Sequence, residues 1–166
     1  VDQKLITPEP FGREKQILFG DTHVHTTYST DAFLWSLPIL NGEGPHPIAD
    51  ACDFARFCAN LDFWVSTDHA EALTPRKWKS IKEAVRNCNS PTDANDPDLV
   101  TFLGYEWTQV GNTAETHYGH KNVMFLDIEE GKVPERAIGA GGLATNGMRA
   151  GIPGQSRQLR LSLIHI

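Results

Sequence analysis

Four short apolar runs divide the first 126 residues of the chain. Each run is bounded by residues that favour turns, such as Gly, Asn, Asp and Ser, and this is the pattern of a buried β-strand. The pattern predicts strands at 17–20, 61–66, 99–107 and 122–126.

Two stretches between these runs have the helical period instead. Residues 48–60 place apolar residues at i, i+3, i+4 and i+7, which predicts a helix. Thr74-Pro75 opens a second predicted helix, because threonine is a favoured N-cap and proline a favoured first residue. The buried stripe predicted for this helix consists of Trp78, Ile81, Val85 and Cys88.

Strands that alternate with helices of about a dozen residues predict βαβ units and a parallel sheet. The expected fold class is therefore α/β, and four strands in this order fit an open sheet or part of a barrel. The segment 26–47 is rich in Thr, Ser, Gly and Pro and is expected to be a long functional loop.

The composition is that of one globular domain, with 40% hydrophobic and 22% charged residues among 166. Residues 1–136 hold 12 basic and 21 acidic residues, a balance of −9. An acidic chain without a basic stripe argues against nucleic acid as a partner. No apolar stretch approaches the roughly 20 residues that span a membrane, and we expect a soluble protein of the cytoplasm or periplasm.

The three cysteines, Cys52, Cys58 and Cys88, are odd in number and lack C-x-x-C spacing. They therefore predict neither a disulfide framework nor a zinc knuckle. Cys52 and Cys58 fall in the predicted helix at 48–60 and are expected to be small buried hydrophobic residues.

The strongest candidate chemistry follows the first predicted strand, in Asp21-Thr22-His23-Val24-His25. Side chains alternate along a strand, so His23 and His25 are expected to converge on one ion. Further candidates near the ends of the other strands are Asp31, Asp68-His69, Glu106, His117 and His120. Strand ends of α/β barrels meet at one rim, and nitrogen and oxygen ligands without thiolate suit Zn, Mn or Fe.

Each candidate also has a structural alternative. The histidine pair fits an ordinary half-exposed strand, and Asp31 fits a turn or a helix cap. His69 fits a cap of the following segment, and Glu106 fits a solvated acid at a strand end. His117 and His120 compete for one role, and His120 is preferred because it adjoins the predicted strand.

The order of these motifs resembles the PHP superfamily of polymerase and histidinol-phosphatase type metallohydrolases. The motifs are His23-Val24-His25, Ser29-Thr30-Asp31, Thr67-Asp68-His69, Gly104-Tyr105-Glu106 and His120. The residues at 19–21, 50–56 and 119–123 resemble a bacterial branch known only as a domain of unknown function. The resemblance covers about residues 17–126 and implies a partial PHP-type distorted (βα)7 barrel, with about four of its βα units present.

The resemblance implies two or three divalent ions, Zn, Mn or Fe, in the intact protein. His23 and His25 would bind the first ion, Glu106 would bridge the first and second, and His120 would bind the second. Asp31 and His69 would bind the third.

Two acids that adjoin ligand histidines, Asp21 and Asp68, are expected to accept hydrogen bonds from imidazole rings and orient them, or to serve as occasional ligands. His117 is expected to be a loop residue in reach of substrate. The expected activity is hydrolysis of a small phosphorylated substrate by metal-activated water, with Glu106 as the catalytic bridging carboxylate. The alternatives are a metal-dependent amide or ester hydrolase and a non-catalytic domain braced by its ions.

The chain is expected to contain an N-terminal arm at 1–16, a partial PHP-like domain at 17–136 and a Gly- and Arg-containing continuation at 137–160. Residues 161–166 are expected to be the translation of a sequencing adapter. The superfamily completes its site with a further histidine and a late Asp-x-His pair. Only His165 follows His120 in this chain, so the resemblance implies a C-terminal truncation.

Overall fold

The computed structural model describes residues 17–91 and 96–141. Within them, four strands form a curled sheet, a half-barrel, in the order β1-β2-β3-β4. The strands are β1 (Gly20–Val24), β2 (Phe63–Ser66), β3 (Val100–Gln109) and β4 (Gly119–Phe125). The predicted arm at 1–16, the adapter-like segment at 161–166 and residues 142–160 of the predicted continuation lie outside the described residues.

Three α-helices accompany the sheet in the part of the chain that the structure describes. Helix α1 spans Thr30–Ser36, α2 spans Asp50–Asp53 and continues as a π-helix over Phe54–Cys58, and α3 spans Pro75–Asn89. Short 3-10 turns cover Pro38–Leu40 and Ala70–Ala72.

Helix α3 confirms its prediction from the sequence. The Thr74 hydroxyl accepts a hydrogen bond from the backbone N–H of Lys77 at 3.2 Å, which satisfies one of the unpaired N–H groups of the first turn. Trp78, Ile81 and Val85 pack against Leu103 and other residues of one core cluster. The predicted stripe is therefore the face that joins this helix to the sheet.

The first strand was predicted at 17–20 but runs from Gly20 to Val24. Ile17 and Phe19 are 84% and 69% exposed, so the apolar run that suggested the strand is not buried. Pairing with β2 instead begins at Gly20, opposite Phe63. His23 consequently lies within the strand.

The prediction of a wholly parallel sheet is wrong for β4. Strands β1, β2 and β3 are parallel, but β4 pairs with β3 in the antiparallel direction, with no helix between them. The structure therefore does not show four βα units. The antiparallel direction brings the start of β4 beside the end of β3, and Thr108 lies opposite His120. The start of β4 thereby reaches the rim formed by the ends of the parallel strands.

The curl of the sheet brings its two edge strands, β1 and β4, together. The side-chain amide of Asn122 on β4 donates a hydrogen bond to the backbone carbonyl of Thr22 on β1 at 2.9 Å.

The segment 26–47, predicted to be a long loop, differs from its prediction, because it contains helix α1 and the turn Pro38–Leu40. Asp31 lies in the first turn of that helix.

The cysteine predictions are corrected by a disulfide between Cys52 and Cys88. Cys52 lies on α2 and Cys88 near the end of α3, and their Cα atoms are 5.9 Å apart. The sequence did not reveal this pair, because the cysteines are 36 residues apart and become neighbours only in the folded chain, where both belong to one core cluster with Trp64 of β2. Cys58 was expected to be buried but is exposed.

Among the described residues, none of the helices combines the length and apolar character needed to cross a membrane.

Candidate metal centre

A bulge in β1 aims the first two histidines. Asp21 pairs with Trp64 and Val24 with Ser66, so three steps along β1 match two along β2. Thr67 fixes the end of the bulge, because its hydroxyl accepts from the Val24 N–H at 2.9 Å and lies 3.2 Å from the Val24 carbonyl.

The histidine pair converges on one point. The Nε2 atoms of His23 and His25 lie 2.9 Å apart. They lie 3.3 and 2.9 Å from Oε2 of Glu106, respectively. His23 comes from β1, whereas His25 follows its last residue. The two ring nitrogens and the carboxylate oxygen are close enough for all three to bind a single ion.

Glu106 is the centre of the cluster. Its side chain is 1% exposed, and each of its oxygens faces imidazole nitrogens. Oε1 contacts Nδ1 of His120, and Oε2 lies 3.3 Å from Nδ1 of His69 in addition to the histidine pair. Backbone pairing fixes these approaches, since His69 forms a β-bridge to Glu106.

Asp31 and His69 form the other side of the cluster. Oδ2 of Asp31 lies 3.4 Å from Nε2 of His69, and Oδ1 lies 3.6 Å from Nδ1 of His25. Partial burial has the largest single effect on the pKa of Asp31 and raises it. The backbone N–H of Ala32 and the nearby imidazoles of His69 and His25 together lower the pKa by more. The net pKa is below its ordinary value, so Asp31 is held as a carboxylate, the form that binds a cation.

The structure thus brings together all six predicted metal ligands. They fall into three groups whose ligand atoms lie within 4.8 Å of one another. The groups are His23, His25 and Glu106; His25, Asp31 and His69; and His69, Glu106 and His120. These groups could hold a metal ion.

Asp68 supports this cluster through the backbone. Its fully buried carboxylate accepts from the N–H and hydroxyl of both Thr26 and Ser29. The Ser29 hydroxyl in turn accepts from the His69 N–H at 2.9 Å. Asp68 therefore ties the turn before α1 to the end of β2. The hydrogen bonds that the structure gives it within the described residues go to this turn and not to an imidazole.

The remaining predicted residues lie at the margin. Asp21 accepts from the backbone N–H of His23 at 2.9 Å, so it bonds the strand and not the ring. His117 is exposed and belongs to none of the three groups. His46, predicted to be an ordinary loop residue, pairs with exposed Asp50 at 3.2 Å.

Two residues in this region were missed from the sequence. The Thr108 hydroxyl lies 2.9 Å from Nδ1 of His69 and 3.2 Å from Nδ1 of His120. Its position two residues after Glu106 on a strand was the available signal, because such residues share a face. Glu71 is fully buried. Burial raises its pKa, although the backbone N–H groups of Ala140 and Thr108 oppose the rise.

A family model described as a protein of unknown function (DUF3604) matches residues 12–76. The matched segment contains His23, His25, Asp31 and His69 and ends before β3 and β4. It agrees with the expected resemblance to a domain of unknown function. No curated protein and no solved structure gives a significant match to the chain.

Proposed function

We propose that this chain carries the metal centre of a metal-dependent hydrolase that acts on small phosphoesters. The observation that carries the proposal is the surroundings of Glu106. A carboxylate that is 1% exposed lies among nitrogens of four histidines, and no lysine or arginine of the described residues forms an ion pair with it. A buried negative charge of this kind needs compensation by cations.

The donor set fits divalent transition ions. It contains four imidazoles and two carboxylates without thiolate, which suits Zn, Mn or Fe better than Mg or Ca. A neutral imidazole has one free lone pair, so a histidine that belongs to two groups can serve only one. His25 is assigned to the group with Glu106, because that contact is 2.9 Å whereas its contact with Asp31 is 3.6 Å.

The residues that would hold the ions follow from this rule. Glu106 belongs to two of the three groups, and its two oxygens face different histidines, so it is proposed to bridge two ions. Its Oε2 joins it to His23 and His25, and its Oε1 joins it to His120. Asp31 and His69 complete a third position. This arrangement agrees with the resemblance to the PHP superfamily.

A pair of bridged divalent ions would supply activated water and charge stabilisation for hydrolysis at phosphorus. The chain itself contributes rigidity and orientation. Glu106 and Thr108 are held by β-pairing, and Asp68 fixes the turn that presents Asp31. His23 and His120 have side chains that are 53% and 56% exposed, which leaves the centre open to a substrate from one side.

The test combines metal content with turnover. We expect elemental analysis to find two or three ions per chain after loading with Zn or Mn, and we expect hydrolysis of p-nitrophenyl phosphate. Glu106→Gln should abolish turnover and lower the ion content, because it removes the charge between the bridged ions.

The matched control is His46→Ala, which removes an exposed histidine outside the three groups. It should leave both readouts unchanged. If the chain binds metal but hydrolyses no phosphoester, amide or ester, the proposed hydrolase activity is refuted. The chain would then be a non-catalytic domain that its ions stabilise. Full activity in Glu106→Gln would refute the assigned bridge.

A further inference from the structure

His69 belongs to two of the three groups, and its ring can serve only one of them. Nε2 lies 3.4 Å from Oδ2 of Asp31, and Nδ1 lies 3.3 Å from Oε2 of Glu106. These distances are nearly equal, so they do not decide which nitrogen offers its lone pair to an ion.

A contact with Thr108 distinguishes the two ring nitrogens of His69. Its hydroxyl oxygen lies 2.9 Å from Nδ1 of His69, the shortest polar contact that the structure gives either nitrogen of this ring. An oxygen in hydrogen-bond geometry at Nδ1 occupies the direction from which an ion would approach that nitrogen. Nε2 has no such contact with a hydroxyl among the described residues and faces the carboxylate of Asp31.

The position of the Thr108 hydroxyl is firmly set. The residue is 4% exposed and lies on β3, directly opposite His120 on β4. Its backbone N–H donates to the buried Glu71 carboxylate at 3.2 Å. The branched threonine side chain also has few rotamers, so the hydroxyl cannot leave Nδ1 easily.

We infer that Thr108 is a positioning residue that selects the ligand nitrogen of His69. Its hydroxyl accepts the proton of Nδ1, which keeps the ring in the tautomer that presents Nε2 to the ion shared with Asp31. His69 is thereby withheld from the ion of Glu106 and His120. This inference rests on the proposed metal centre and extends it to the choice among competing groups. Histidines that bind metal commonly donate their other N–H to an oxygen of a carboxylate, a backbone carbonyl or water, and the Thr108 hydroxyl oxygen takes that place here.

The test is the tautomer of His69 in the full chain loaded with zinc. Two-bond ¹H–¹⁵N correlation spectra of ¹⁵N-histidine-labelled protein distinguish a protonated nitrogen from a metal-bound one. A His69→Gln sample assigns the signals. We expect Nδ1 of His69 to be protonated and Nε2 to bind zinc in the wild-type chain and in Thr108→Ser, which keeps the hydroxyl.

Thr108→Val preserves the shape of the side chain but removes the acceptor. It should lower the affinity of the Asp31 position for zinc by about 10- to 100-fold and disturb the His69 signals. Thr101→Val is the matched control, because Thr101 is equally buried on β3 but bonds Cys88 instead of a histidine. It should leave zinc affinity and the His69 signals unchanged.

Three results would overturn the inference. They are zinc on Nδ1 of His69 in the wild-type chain, a proton on Nε2, or an unchanged Nδ1 proton in Thr108→Val, which would make Glu106 the acceptor. The wild-type spectrum decides even if Thr108→Val fails to fold. A wild-type chain that binds no zinc would instead refute the proposed metal centre, and the inference would fall with it.

Discussion

Asp68 shows how one buried side chain can organise the candidate metal centre through the backbone, without a hydrogen bond to an imidazole among the described residues. Four hydrogen bonds from Thr26 and Ser29, between 2.7 and 3.2 Å, converge on its carboxylate. These bonds hold the turn from which α1 starts, and α1 carries Asp31. The Ser29 hydroxyl then reaches the backbone of His69. The distance between two candidate ligands on different elements therefore depends on this one acid.

Asp68→Ala is expected to lower the free energy of unfolding by about 3 kcal/mol, because it leaves buried donors without an acceptor where water cannot reach them. The variant should also bind fewer ions, since Asp31 and His69 lose their common anchor. Urea denaturation with elemental analysis checks both effects. Asp68→Asn keeps one acceptor oxygen and should lose less stability. Equal stability of Asp68→Ala and the wild-type chain would show that the turn is held by other contacts.

Residue types and order were enough to predict which side chains meet, but not how they are supported. His23, His25 and Glu106 were found because imidazoles and acids at strand ends converge in α/β folds. Asp68 was predicted to orient a ring, yet it bonds a turn. Its neighbours Thr26 and Ser29 are ordinary loop residues in the sequence, and only the folded turn directs their N–H groups to one carboxylate.

At the scale of elements, local signals predicted what local forces determine. Helix α3 begins at its proline and buries its stripe as expected, because a cap and a 3.6-residue period are properties of the segment itself. The direction of β4 is set by pairing with β3, which the sequence of β4 does not encode locally. The apolar residues before β1 also misled the prediction, since they remain exposed in the described part of the chain.

The Cys52–Cys88 disulfide should contribute substantially to the packing of α2 against α3. Closing a loop of 36 residues is worth about 4 kcal/mol in the chain-entropy account, and measured values are commonly about 2–4 kcal/mol. A Cys52→Ser, Cys88→Ser double variant should therefore unfold at a lower denaturant concentration. Cys58→Ser is the control, because Cys58 is exposed and unpaired, and it should not change the midpoint. Identical midpoints for the double variant and the control would contradict the cross-link.

An ion cluster links α3 to the segment after β4 and should make stability depend on acid. Hydrogen bonds from Lys82 and Arg86 lower the pKa of Glu130 below its ordinary value of 4.5. The native state therefore favours the carboxylate. The stabilisation is complete above the ordinary pKa and is lost as the pH falls through the lower folded pKa.

Glu130→Gln should accordingly lower the melting temperature near neutral pH, and the difference from the wild-type chain should vanish at acid pH below that folded pKa. Lys82 adds to the effect, because its side chain is only 6% exposed and loses its carboxylate partner. Glu83→Gln on the same helix removes an exposed pair with Lys79 at 3.8 Å and should change little. Melting curves across this pH range provide the check. A difference that grows as the pH falls would reverse the assigned sign.

For the molecule as a whole, the candidate metal centre is a cross-link between distant parts of the chain. Its six side chains come from β1 and the residue after it, α1, the segment after β2, β3 and β4, and Glu106 and His23 are separated by 83 residues. An ion bound there stabilises only the folded chain, since the unfolded chain cannot assemble the donors. Metal binding should therefore appear as thermal stability, independently of any catalysis.

Zinc at about 100 times its dissociation constant should add about 2.7 kcal/mol to the free energy of unfolding. At about 2–4 °C per kcal/mol, the melting temperature of a chain of this size should rise by about 5–10 °C, and a chelator should reverse the rise. Magnesium should have little effect, because imidazole donors do not suit it. His23→Ala with His120→Ala should reduce the zinc shift to the part contributed by the Asp31 and His69 position, at small structural cost, since both side chains are more than half exposed. An undiminished shift in this double variant would contradict ions bridged by Glu106, because neither group that contains Glu106 would then keep its three ligands.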